Sequence, residues 1–123
     1  MEFLESGSPD CPLIRLYEFK PSEAQSLRRI ALQLAKGRTA SVRLHKEHGL
    51  QAISGCQLTL SRGGEDRGVN EIGPFEFAWV LTPSGWLSVS GLLRPFSKTS
   101  PSGYQWLCDG GKIRILISHD GRW

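Results

Sequence analysis

His45-Lys46-Glu47-His48 sets two imidazoles three residues apart around a glutamate, which invites a metal-centre reading. Zinc-protease chemistry needs two histidines one helical turn apart on a helix, and this segment has the pattern of a strand running into a turn. Two exposed histidines at a loop tip are the plainer account, and no metal site is assigned. Cys108 with His119 and Asp120 has the residue types of an activated thiol. If Asp109-Gly110 forms a two-residue hairpin turn, His119 lies roughly 26 Å along the strand from Cys108, at ~3.3 Å per residue. Cys56 sits in an apolar run and reads as a small buried hydrophobe. The run from Gly63 to Gly68, Gly-Gly-Glu-Asp-Arg-Gly, has acids where a phosphate cradle would have amides and a lysine. No catalytic residue and no cofactor is therefore expected.

Charge offers a second chemistry. Arg28, Arg29, Lys36, Arg38, Arg43 and Lys46 fall between residues 24 and 46 without one acidic residue, although the whole chain carries only +3. Arg29, Lys36, Arg38 and Arg43 could neutralise phosphates along one edge of the domain. Single-strand binders interleave exposed aromatics with such groups, and this stretch has no Phe, Tyr or Trp, so any nucleic-acid binding should be weak.

Positioning these groups requires a fold, and 123 residues at 39% hydrophobic and 22% charged suit one globular domain. Three widely spaced cysteines and no apolar run near ~20 residues point to reduced thiols, no membrane span and a cytoplasmic setting. Residues 1–12, with Gly7, Pro9 and Pro12, read as a flexible N-terminal arm ahead of a single domain at 13–123.

Within that domain residues 13–19 read as a strand. Ser22 with Gln25 resembles a capping box opening a helix that Gly37 closes. Leu27, Ile30, Ala31 and Leu34 would face its core side, with Gln25, Arg29, Gln33 and Lys36 toward water. The strand after this helix should run parallel to the first. From residue 39 the period becomes two, and a turn at Glu47-His48-Gly49 would set Leu44 against Ala52 and Ala40 against Cys56, while residues 61–71 read as a surface loop. A turn at Pro83-Ser84-Gly85 would pair Trp79 with Val89 and Phe77 with Gly91. A second at Asp109-Gly110 would pair Trp106 with Ile113. The expected fold is α+β: an antiparallel-rich mixed sheet of about seven strands, in the order β-α-β-β-β-β-β-β, with one helix packed on one face.

One helix leaves one sheet face without a layer, and the even-numbered positions there carry Val80, Trp86, Leu92, Leu107 and Leu116. Such a half-apolar face suits contact with a protein partner or a second copy of the chain. The leading expectation is thus a small non-catalytic interaction protein using those five residues, with a fold-level analogy to small bacterial immunity and inhibitor proteins that are sheets with a helix. Weak nucleic-acid binding through the basic stretch is one alternative. A small-ligand pocket lined by Trp79, Trp86 or Trp106, which could also host a modest enzyme, is the other.

Overall fold

The computed structural model describes residues 1–7, 9–17, 19–46, 55–98, 103–119 and 122–123. The chain runs β1 (Glu2–Leu4), β2 (Leu13–Leu16), α1 (Pro21–Ala35), β3 (Ser41–Arg43), a 3-10 turn (Leu44–Lys46), β4 (Gln57–Arg62), β5 (Gly68–Gly73), β6 (Glu76–Leu81), α2 (Pro83–Lys98), β7 (Tyr104–Cys108) and β8 (Arg114–Ser118). It is an α+β fold with two helices and two four-stranded sheets, ordered β1-β2-β8-β7 and β3-β4-β6-β5. The expectation of a single sheet of about seven strands with one helix is therefore corrected. Each sheet has one parallel pair at its centre, β2 with β8 and β4 with β6, and antiparallel strands outside it. The strand after α1 joins the second sheet and does not pair with β2.

The first helix follows its sequence closely. Its N-cap is Lys20 and not Ser22, because Pro21 supplies the first helical residue, where a missing N–H costs nothing. The Glu23 carboxylate accepts the Lys20 backbone N–H at 3.2 Å. At the other end Arg38 N–H donates to the Gln33 carbonyl and Gly37 N–H to Leu34, with Gly37 at φ +73. That is the Schellman arrangement, and it requires a residue that tolerates the left-handed region. Ala24, Leu27, Ala31 and Leu34 are buried, while Gln25, Arg29, Gln33 and Lys36 face water.

The second helix is where the pattern misleads. Thr82-Pro83-Ser84-Gly85 reads as a turn between strands, yet the same residues make a helix start. Thr82 Oγ1 accepts the Gly85 N–H at 3.2 Å, and Pro83 occupies the first helical position. Trp86, Val89, Ser90, Leu93 and Phe96 are buried at helical spacing, whereas Leu87, which an alternating strand would bury, is 57% exposed. The two helices pack on each other, with small Ala24, Ala31 and Ser90 at buried positions and Arg28 Nε donating to the Ser90 carbonyl at 3.2 Å.

Other registers shift as well. Val42 pairs with Leu60 and Arg43 with Thr59, so β3 meets the far end of β4. The turn expected at residues 47–49, and Ala52, lie outside the described residues. Residues 68–71, expected within a loop, belong to β5. The β7–β8 hairpin exists, but its turn is longer than two residues, since Cys108 pairs with Ile115. A bulge between Trp106 and Cys108 then sets Trp106 opposite Leu116 instead of Ile113, an odd slip that changes the face it shares. Residues 2–4, expected in an arm, form the strand β1 on β2, and Phe3 lies 4.6 Å from Phe77 of the other sheet. The sheets also meet where Val69 bridges Ile113. One core cluster includes Ile14, Leu27, Leu34, Phe77, Trp79, Trp86, Leu93 and Ile115.

The helix and strand readings of residues 83–98 separate in solution. Leu87→Glu should change stability toward urea by no more than about 0.5 kcal/mol, as an exposed substitution does. Leu93→Glu buries an unpaired charge and should leave the chain unfolded. In a strand both would face the core and both would unfold it.

Candidate functional site

A half-open groove of about 550 Å³ lies between α2, the β5–β6 pair and the β7–β8 hairpin. Trp79 of β6 forms part of its wall, with Val89 and Leu92 from α2 and Leu107 and Cys108 from β7. Alternation along β6 turns Trp79 to the core side, where its ring meets Trp86 at 4.8 Å between centroids. The Trp86 indole donates to the Ser61 carbonyl at 2.9 Å. The Trp79 Nε1–H is buried and finds no acceptor among the described residues. A buried donor left without a partner costs about 1–3 kcal/mol, so native structures rarely keep one.

The rim carries charge. Asp66 Oδ1 accepts both the Thr82 N–H and the Thr82 hydroxyl at 2.8 Å, bracing the N-terminal turn of α2 from the β4–β5 loop. Those two bonds hold its carboxyl below the usual carboxylate range. Arg67 follows, exposed, and forms no ion pair among the described residues. Gly68 has φ +67, and a Cβ there would sit 3.6 Å from the Gly110 carbonyl oxygen and 3.8 Å from Cys108 Sγ. Those are ordinary contacts, so it is the positive φ that calls for glycine at this point, where β5 begins beside the β7–β8 turn. Burial pushes the Cys108 thiol up, partly offset by amide contacts from Gly110 and Val69, so near neutral pH it stays protonated and is a poor nucleophile.

The residues singled out from sequence are scattered by the fold. Val80 is half-buried on the outer face of its sheet, against which a Cβ at Gly63 would clash at 2.6 Å. Trp86 is fully buried on α2, and Leu116 is fully buried on β8, outside the main cluster. Leu92 and Leu107 do come together, in the groove wall. Because residues 83–98 are helical, the even-numbered sheet face does not exist as one surface. Of the three tryptophans expected around a ligand, Trp79 lines the groove, Trp86 stacks on it, and Trp106 does not reach it.

Arg29, Lys36, Arg38 and Arg43 are all exposed and unpaired with carboxylates among the described residues. His45 is committed to the backbone, its Nδ1 accepting the Leu58 N–H at 3.2 Å. His48 lies outside the described residues. Cys108 pairs with Ile115 near the hairpin turn, while His119 lies past the far end of β8, edge-on to Phe19. Asp120 lies outside the described residues. Among the described residues no group of three His, Cys, Asp or Glu could hold a metal ion, and no helix is long and apolar enough to cross a membrane. Sequence reasoning missed Asp66 and Arg67. The visible signal was an Asp-Arg pair beside a glycine, which also describes an ordinary charged loop.

The Asp66 brace has a pH signature. A carboxyl whose folded-state pKa is depressed stabilises above its unfolded pKa and loses that contribution as pH falls through the folded value. Asp66→Ala should melt below the wild type at pH 7, and thermal unfolding should show the gap closing as pH falls below 3.8. A gap that persists at pH 2 would mean the brace is not ionic.

No family model matches this chain, and no curated protein and no solved structure matches it either, so the groove's own chemistry is what bears on function.

Proposed function

We propose that this chain is a non-catalytic binding protein that takes a small ligand in the groove between α2, β6 and the β7–β8 hairpin. The observation that carries this reading is a half-open cavity lined by Trp79, whose buried Nε1–H has no acceptor among the described residues. A ligand acceptor bonded to that N–H would remove the desolvation penalty of the empty state, so ligand and stability are coupled. About 550 Å³ is within the range of small-molecule sites, and the combination of apolar walls with a few polar groups is typical of them. A protonated Cys108 and a carboxylate engaged by Thr82 fit binding better than acid-base chemistry. Contact with a protein partner or a second copy through Val80, Trp86, Leu92, Leu107 and Leu116 has less support, since Trp86, Leu107 and Leu116 are buried within one chain. Three thiols outside any disulfide suit a cytoplasmic setting.

The probe is 4-phenylbutanamide, neutral, with an aromatic ring and a carbonyl acceptor. Titrated into uniformly 15N-labelled protein, it should shift the Trp79 Nε1–H resonance saturably. Leu92→Trp, which fills the groove from its half-buried wall, should abolish the shift while thermal unfolding stays within a few degrees of wild type. An indole resonance unmoved by millimolar amide, and equally unmoved by 4-phenylbutanoate, would exclude the groove as a ligand site.

A further inference from the structure

We infer that the groove is selective for a small amphiphilic carboxylate, with its charge on Arg67 and its apolar body against Trp79, Leu92 and Leu107. This inference rests on the groove being a ligand site, and it adds the ligand's charge. Arg67 is the cation in the groove lining, it is exposed, and it forms no ion pair among the described residues. Its main chain is already committed, with the N–H bonded to the Val80 carbonyl and the carbonyl accepting from Asn70 Nδ2. Strand β6 and the Asn70 side chain thus fix the backbone from which the guanidinium extends.

One carboxylate lies in the lining and another follows Cys108 in the chain, and both are engaged. Asp66, also in the lining, takes the Thr82 N–H and hydroxyl at the start of α2. Asp109, beside Gly110, lies 3.4 Å from Arg114 Nε. The positive end of the α2 dipole offsets the remaining charge of Asp66. Arg67 is left as the group whose charge is unanswered, and a guanidinium presents two parallel donors that match a carboxylate. Apart from Ser88 and Cys108 the rest of the lining is apolar or glycine, with Leu81, Val89, Leu92 and Leu107 beside Trp79, which suits a hydrocarbon or aromatic body.

Calorimetric titration with 4-phenylbutanoate and 4-phenylbutanamide, which differ in charge at nearly equal size, reads this selectivity. Wild-type protein in low salt should bind the acid about tenfold more tightly than the amide. Arg67→Gln should erase that preference and leave amide binding unchanged, and Arg67→Lys should retain part of it. Arg29→Gln, an exposed cation on α1, should leave the preference intact, which separates a pair at the groove from the general field of a basic protein. Equal affinity for acid and amide in the wild type, or an Arg67→Gln variant that weakens both alike, overturns the carboxylate inference while the groove stands as a site. Failure of both probes to bind the wild type overturns the groove reading, and this inference with it.

Discussion

Burial of the Trp86 indole between the Trp79 ring and the end of β4 is the contact on which the rest of this molecule depends. Helix α2 contains Gly85, Gly91 and an internal Pro95, all poor helix formers, so its stability must come from tertiary packing more than from propensity. Trp86 provides that packing with an aromatic contact at 4.8 Å and a hydrogen bond to the Ser61 carbonyl at 2.9 Å. Its neighbours on the same helical face, Val89, Ser90, Leu93 and Phe96, are buried with it. Ser90 in turn receives Arg28 from α1, so the position of α1 is tied to the same anchor.

The groove is a consequence of that docking. One side of the helix is held down by Trp86, and the wall it presents, Val89 and Leu92, stands opposite Leu107 and Cys108 of the hairpin. Asp66 pins the first turn of the helix from the neighbouring loop, and Gly68, at a positive φ, begins the adjacent strand beside the hairpin turn. The two indoles then differ in a way that identity alone does not explain. Trp86 has a backbone acceptor and Trp79 has none among the described residues, although the rings touch. A buried donor with no acceptor among the described residues costs stability.

The first helix was legible in the residues. Its apolar face, its solvent face and its stop at Gly37 are local matters, set by a 3.6-residue period and by one position that needs a positive φ. The strand character of residues 13–16, 57–60 and 76–81 was legible for the same reason, as was the burial of Phe77 and Trp79. Within the site, Trp79 was marked in advance as a pocket aromatic, while Asp66 and Arg67 were not, because a charged residue in a glycine-rich loop looks the same whether or not a groove forms beside it.

What the amino-acid sequence determined by itself is therefore the α+β class, one well-capped helix and the membership of much of the core. Only the tertiary structure decided whether residues 83–98 are strand or helix, since Thr-Pro-Ser-Gly opens either, and both Leu87 and Leu93 fit an alternating face until α2 docks and exposes one of them. It also decided how the strands divide between two sheets, because the period of two specifies which way a side chain points and says nothing about which neighbour its backbone will bond. The groove belongs to that second level. Its walls come from residues 66 to 111, and their meeting depends on the docked helix, the bulged hairpin and the Val69–Ile113 bridge, none of which leaves a local pattern along the chain.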